Sequence, residues 1–294
     1  RFGGRYGALQ GVTLGQGLLM KNYSTLLTGS LLQSNRQNGI QGYWDSGTWR
    51  AEGLSTGTGI YAIRGEQSFN FFKGGVYYVT DSDGVSITNA GVTTTLPAIS
   101  GIGVDVSVPT TIPALDLYAE YAQLVNFGSG LTAGARFGYD FIIAKAVGRL
   151  EYQQLASNFA PGVFNAEYEV NPINLTTYSA TGVARNGTVG ELDMMFLNYA
   201  TLRGTYSGYE GQRPGARADL KVADVFFPGY EISGYFIAPD MRDFRGLSLE
   251  QGAVLGARIG YKIYPFMKTV VNFKRAFNPT LGRVEDSTYY ELYF

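Results

Sequence analysis

The sequence predicts an all-β protein whose antiparallel strands form an up-and-down barrel that spans a membrane, and three observations predict it. Only 16% of the residues are charged, against roughly 25% in soluble domains. No stretch approaches the ~18 consecutive apolar residues that a spanning helix requires. Many windows instead alternate between apolar and polar residues, with turn residues between them. Such windows are compatible with a membrane only in a closed barrel, where neighbouring strands satisfy each other's backbone groups.

The clearest alternation lies near the end of the chain. In residues 253–263, one face carries Ala253, Leu255, Ala257, Ile259, Tyr261 and Ile263, and the other carries Val254, Gly256, Arg258, Gly260 and Lys262. The window 267–274 repeats this pattern, and Tyr264-Pro265 between the two predicts a short turn. Each predicted strand has about ten residues, the length that a tilted strand needs to cross a bilayer.

Further windows alternate in the same way, at 102–108, 115–125, 131–137, 142–152, 217–226 and 285–294. One face combines small residues with isolated charges, whereas the outer face of a soluble sheet would be rich in Lys and Glu. This favours a barrel with a polar lumen over a soluble, secreted β-rich protein. At ~18 residues per strand and connection, the length supports about 14 to 16 strands, and more if the chain is a fragment.

No domain boundary interrupts the sequence, so residues 1–294 are interpreted as one barrel domain. The first residue is Arg, without a charged and then apolar leader after it. A mature chain and the C-terminal part of a longer chain both remain open. Two regions resist a strand assignment: the first 60 residues, rich in Gly, Ser and Thr, and residues 154–191, interpreted as a further hairpin or an inward-folding loop.

Several functional classes are disfavoured by composition. The chain contains no His and no Cys, so it lacks the commonest general base, the commonest transition-metal ligands and any disulfide. No enzyme activity, metal or cofactor is therefore expected. Lys plus Arg total 23 and Asp plus Glu total 24, which argues against a nucleic-acid partner.

The last eight residues, from Ser287 to Phe294, resemble the terminal strand of outer-membrane barrels (porin-like proteins) of double-membraned bacteria. In that family the chain ends on an aromatic residue, with apolar residues at alternate positions before it. Tyr290, Leu292 and Phe294 match this pattern. The resemblance implies an outer-membrane location and recognition of these three residues by the barrel-assembly machinery.

The N-terminal run from Arg5 to Leu19 is similar to segments of large barrels attached to the cell envelope, such as the S-layer-homology-linked barrels of the Deinococcus type. This resemblance implies a stalk before Arg1 and a barrel with more strands.

The candidate site is the polar face of the strands, interpreted as the lining of a pore. Strand alternation assigns to it Arg136, Lys145, Arg149, Arg217, Lys221, Arg258, Lys262, Lys268, Lys274, Asp116, Glu120, Glu151, Asp219 and Glu291. As a pore lining, these charges have a small positive excess that would mildly favour anions. The alternative is that they pair across strands and only brace or solvate the interior.

The sequence therefore predicts an outer-membrane channel for passive diffusion of small hydrophilic solutes or ions. The alternative is a structural envelope barrel, for S-layer anchoring or adhesion, without a significant open pore. The expected partners are the lipid bilayer, the barrel-assembly machinery, other copies of the chain in a trimer by analogy with porins, and other cell-envelope proteins.

Overall fold

A computed structural model describes most of the chain. The described residues are 1–9, 11–25, 38–84, 86–89, 92–165, 168, 173, 175, 182–197, 199–223, 227–238, 253–264, 267–278 and 283–293. Within them, no helix is both long enough and apolar enough to cross a bilayer.

The described elements are β-strands. In chain order they are β1 (Phe2–Gly7), β2 (Gly39–Asp45), β3 (Trp49–Thr56), β4 (Ile60–Ser68), β5 (Lys73–Asp81), β6 (Ser86–Asn89), β7 (Val92–Thr95), β8 (Ile99–Pro109), β9 (Leu115–Leu124), β10 (Gly128–Asp140), β11 (Ala144–Leu155), β12 (Arg185–Phe196), β13 (Ala200–Tyr209), β14 (Gly215–Val222), β15 (Tyr230–Ala238), β16 (Val254–Tyr264), β17 (Met267–Asn278) and β18 (Arg283–Tyr293).

Sixteen of these strands form one sheet in which each strand lies beside its neighbour in the chain; β6 and β7 form a separate two-stranded hairpin between β5 and β8. This is the up-and-down order that the sequence predicts, and the strand number agrees with the prediction. Strands β8 to β11 have 10 to 13 residues, whereas β1 to β3 have only 6 to 8.

The predicted hairpin at residues 253–274 is confirmed as β16 and β17, with Ile259 opposite Val271 in antiparallel register. One detail of the prediction is wrong. The window 142–152 was expected to begin a strand at Ile142, but β11 begins at Ala144 and residues 141–143 form a turn. The Phe141 N–H donates to the Ala144 carbonyl across this turn, and the Ile142 side chain is 99% exposed.

Each strand has an apolar face and a polar face, and burial is inverted relative to a soluble protein. In β8, Ile102 and Val104 on the apolar face are 47% and 48% exposed, whereas Asp105 on the polar face is 8% exposed. In β9, Leu117 and Tyr121 are likewise exposed, while Glu120 between them is buried. The aliphatic side of these strands is therefore exposed, and the small and charged side is buried.

The chain divides into two compact units. Unit 1 comprises residues 1–134 and 153–186, and unit 2 comprises residues 135–152 and 187–294. Unit 1 contains most of the fully buried side chains, among them Tyr23, Phe159 and Phe164. In unit 2, most described strand residues are half-buried or exposed.

Glycines in the strands provide space for aromatic rings on the neighbouring strand. Gly103 lies directly opposite Tyr77, and Gly256 lies directly opposite Tyr235. In both pairs a Cβ on the glycine would collide with the tyrosine ring. Each tyrosine ring occupies the space that a side chain at the glycine would fill. This pairing of an aromatic residue with a glycine on the neighbouring strand helps to fix the strand register.

Candidate functional site

The polar face of the strands is the candidate site, because it collects the charged residues. Among the residues of the sixteen sheet strands, only Arg275 and Asp286 lie on the apolar face, and every other charged residue lies on the polar face. The exceptional pair is in direct register and is joined by two hydrogen bonds of 2.6 and 2.7 Å. The pair lies near the end of β17 and the start of β18.

In unit 1, two non-sheet segments cover part of the polar face. These inner segments are residues 11–25 and 156–165, and they bind each other through backbone hydrogen bonds. The Gly162 N–H donates to the Leu18 carbonyl (2.8 Å) and the Lys21 N–H to the Phe164 carbonyl (2.9 Å). Leu18 and Phe164 are almost completely buried. The inner segments therefore form a small core against the sheet.

Glycines on the polar face allow the inner segments to approach closely. A Cβ on Gly101 would lie 2.6 Å from Leu19 Cδ1, and a Cβ on Gly130 would lie 2.6 Å from Phe159 Cε1. Larger residues at these positions would displace the buried side chains, so the small residues of this face fit a covering layer.

Glu120 anchors the first inner segment. Its carboxylate accepts the backbone N–H groups of Gln16 (2.9 Å) and Leu18 (3.1 Å) and also the hydroxyl of Tyr77. The segment meets this carboxylate through a tight turn in which Gly15 has φ +59° and Gly17 has φ +96°. Since a buried carboxylate is costly unless it is hydrogen-bonded, this contact secures both the charge and the segment.

Asp105 lies directly opposite Glu120 and belongs to a second cluster of charged side chains. Asp105 accepts a hydrogen bond from Arg64 (3.0 Å) and one from the Gln16 side chain (3.4 Å). Arg64 also pairs with Glu66 at 2.7 Å and with Glu52 at 3.7 Å. One guanidinium is thus surrounded by three carboxylates on the polar faces of neighbouring strands, and Gln16 links this group to the inner segment.

A third carboxylate, that of Asp81, lies at the end of β5 and is completely buried. It accepts the Tyr168 hydroxyl at 2.7 Å and the N–H groups of Asp83 and Gly84 at 3.2 and 2.9 Å. The short acidic run 81–83 therefore forms the turn that leaves β5. Among the described residues, no group of three or more Asp or Glu side chains could hold a metal ion.

In unit 2, several charges on the polar face form ion pairs. Asp193 and Arg203 are in direct register and 2.5 Å apart. Arg217 and Asp219, on one strand, are 2.8 Å apart, and these side chains remain about 34 to 47% exposed. The partial exposure contrasts with the buried carboxylates of unit 1.

Strands β16 and β17 carry four bases and no acid on their polar faces; we call Arg258, Lys262, Lys268 and Lys274 the basic hairpin. Lys262 and Lys268 are directly opposite each other. On the adjacent strand β15, Glu231 pairs with Lys268 and is 4.0 Å from Lys262. A single carboxylate thus lies between two lysines whose mutual repulsion it reduces.

The structure places all the sequence-predicted lining residues on the polar face, but it does not bring them together in one environment. Glu120 is buried beneath the first inner segment, and Glu151 is buried and paired with Arg149 on its own strand. Lys145 pairs with Asp140 at an exposed strand end. The remaining predicted lining residues lie on several strands. They are Arg136, Asp116, Lys221 and Glu291, the pair of Arg217 and Asp219, and the four residues of the basic hairpin. A pore-lining role remains a prediction for all of them.

Sequence reasoning missed several members of the polar face, namely Glu52, Arg64, Glu66, Asp193, Arg203 and Glu231. Their strands were not assigned a polar and an apolar face from the sequence; in β3, for example, Gly53 occupies a position on the apolar face. The run Glu52, Leu54, Thr56 and the alternating Arg64 and Glu66 are nevertheless signals of period two. Of the proposed assembly signal, Tyr290 and Leu292 are exposed on the apolar face of β18, and Phe294 lies outside the described residues.

Comparisons with known proteins show only distant similarity. No family model matches the chain, and no curated protein matches it. Solved structures with a similar fold include the Pseudomonas aeruginosa outer membrane protein OpdK (8% identity, 87% of this chain and 79% of that chain, TM-score 0.43). They also include Pseudomonas aeruginosa OccK9 (7%, 92% and 81%, 0.46) and a mutant Rh. blastica porin (10%, 99% and 97%, 0.40). At these scores the chain is assigned to none of their families.

Proposed function

We propose that this chain is a β-barrel of an outer membrane and acts as a channel for small hydrophilic solutes or ions. One observation supports this most directly: the charged residues of the sheet strands avoid the exposed apolar face, except for the mutually paired Arg275 and Asp286.

An exposed aliphatic face of this extent requires a cover. Monomeric soluble proteins rarely expose contiguous apolar patches above a few hundred Å². On strands from both units, the exposed fractions lie between 48 and 64% for the residues Ile63, Val104, Leu150, Ile259 and Leu292. Lipid tails cover such a face without needing polar partners. A sheet in lipid must have its backbone groups satisfied, so the proposal includes closure of the sheet into a barrel.

The partly exposed polar face of unit 2 supports a channel. Its ion pairs and the basic hairpin are strongly hydrated groups, which a water-filled interior accommodates. We assign no catalytic role to the chain, which has no His or Cys. The proposed partners are the bilayer and the assembly machinery, which would recognise the terminal strand; assembly as a trimer or with other envelope proteins is also a proposal.

A structural barrel without conductance is the second candidate. The inner segments support it, because they cover the polar face in unit 1 with a packed core. In that case the chain would anchor or connect envelope layers.

Single-channel recording distinguishes the two candidates. Purified, refolded protein is added to a planar lipid bilayer in about 1 M KCl, so that even a small pore carries a measurable current. Discrete current steps are the expected result, with heat-denatured protein as the control. Folded protein that inserts but carries no current would contradict the channel and favour the structural barrel.

Lipid exposure is tested separately with spin labels. Labels at Ile259 and Val271 are expected to be accessible to a lipid-dissolved quencher, and labels at Ser233 and Asn272, on the polar face of the same region, are expected to be protected. Equal accessibility on both faces would contradict the membrane assignment.

A further inference from the structure

We propose that the channel prefers anionic solutes, because the basic hairpin concentrates positive charge on the polar face of unit 2, while three of the acids on the polar face of unit 1 are buried. This inference rests on the proposed channel function and adds its substrate class. The overall net charge does not predict this preference, because the chain as a whole is almost neutral, with a formal net charge of −1.

The polar face of unit 1 is acidic. Its strands β1 to β9 carry the acids Asp45, Glu52, Glu66, Asp81, Asp105, Asp116 and Glu120 and the bases Arg5, Arg50, Arg64 and Lys73. The three acids that contact the inner segments or Tyr168 are Asp81, Asp105 and Glu120, and their exposed fractions are 0%, 8% and 1%. A permeating ion cannot contact these carboxylates while the covering residues remain in place.

The described strands of unit 2 carry eleven bases and eight acids on their polar face, and the excess of bases lies on strands β14 to β17. Strands β14 to β17 carry the bases Arg217, Lys221, Arg258, Lys262, Lys268 and Lys274 and the acids Asp219 and Glu231. Asp219 pairs with Arg217, and Glu231 pairs with Lys268. The excess positive charge is concentrated on the basic hairpin.

The basic hairpin also has the geometry of an anion path. Lys262 and Lys268 face each other across the two strands, and Arg258 and Lys274 follow on the same face. On β16, Gly260 separates Arg258 from Lys262, and Gly256 lies opposite Lys274. A row of cations along a low-dielectric wall raises the local concentration of anions and lowers that of cations.

The reversal potential in a KCl gradient measures the preference. For the wild-type chain we expect a chloride-to-potassium permeability ratio above one. The double variant K262Q/K268Q removes the two facing lysines and is expected to lower the ratio by about two-fold, whereas E231Q removes the carboxylate between them and is expected to raise it.

A matched pair of variants separates a local effect from general destabilisation. Lys274→Gln and Arg275→Gln remove the same charge from adjacent residues of β17, one on the polar face and one on the apolar face. The ratio is expected to fall only for Lys274→Gln. Heat-dependent gel migration checks the fold of each variant.

The outcomes distinguish this inference from the function on which it rests. Currents with a cation preference, or a ratio that K262Q/K268Q leaves unchanged, would overturn the anion preference and leave the channel intact. Folded protein without any current would overturn both.

Discussion

The strands of each unit have an exposed apolar face, but the units differ in what lies on their polar faces. In unit 1, Asp81, Asp105 and Glu120 are buried and bonded to residues outside the sheet. In unit 2, Asp193, Arg203, Arg217 and Asp219 pair with one another and remain partly exposed. Strand alternation therefore specifies which face is polar, whereas segments outside the sheet decide whether that face is available to solvent.

The greatest loss of folding stability is predicted for a variant that lacks Glu120, the anchor of the first inner segment. Glu120→Ala removes a carboxylate that accepts three hydrogen bonds and leaves their buried donors unsatisfied. We expect the free energy of unfolding to fall by about 3 to 5 kcal/mol, measured by urea titration of the refolded chain in vesicles.

Asp116→Ala is the matched control for Glu120→Ala, because Asp116 lies on the same face of β9 but is only half-buried. We expect a loss below about 1 kcal/mol for it. Equal losses for the two variants would contradict the anchoring role of Glu120.

The second prediction tests the apolar face, which the strands of both units have. Val104→Lys in unit 1 and Ile259→Lys in unit 2 each place a charge in the middle of the apolar face. Both are expected to cost about 2 to 4 kcal/mol, the range for a lysine on the lipid side near the bilayer midplane. The free energies of unfolding in vesicles check this, and a negligible cost in either unit would show that its apolar face does not meet lipid.

The third and weakest predicted effect compares two glycines of the inner segments, of which only one is crowded by neighbouring side chains. Gly15 and Gly162 have nearly the same positive φ, +59° and +60°. A Cβ on Gly15 would lie 2.6 Å from the Tyr77 ring and 2.9 Å from Glu120, whereas a Cβ on Gly162 would meet nothing within 4 Å.

Gly162→Ala is therefore expected to cost about 1 kcal/mol from strain alone, and Gly15→Ala about 1 to 2 kcal/mol more, because its neighbours must shift. Urea titrations of the two variants measure the difference. Indistinguishable values would indicate that the turn at Gly15 is not packed against the sheet.

Sequence patterns predicted the sheet well where side chains mark both faces. The hairpin of β16 and β17 was readable because large apolar residues such as Leu255 and Ile259 alternate with Arg258 and Lys262. The pattern failed at the first 60 residues, where β1 to β3 are short and glycines replace the apolar residues that would define a face. It failed at residues 141–143 because a turn with exposed apolar side chains has the composition of a strand.

The candidate site was predicted only in part, for a different reason. Alternation assigns Glu120 to the polar face, but burial beneath Gln16 and Leu18 depends on a contact between residues about one hundred positions apart in the chain. No local pattern encodes such a contact. The positive φ glycines at 15 and 17 were visible only as part of a glycine-rich run.

The rings that lie over Gly103 and Gly256 give the high glycine content of this chain a specific meaning. A glycine in a strand normally loosens it, because the unfolded chain gains freedom and no side chain packs. Here each such glycine is half of a two-residue unit whose other half is a tyrosine on the next strand. Replacing the tyrosine by a small residue would leave a hole, and replacing the glycine would expel the ring. Homologous chains are thus expected to keep or lose the two residues together, so that paired substitutions between neighbouring strands would record the register of the sheet.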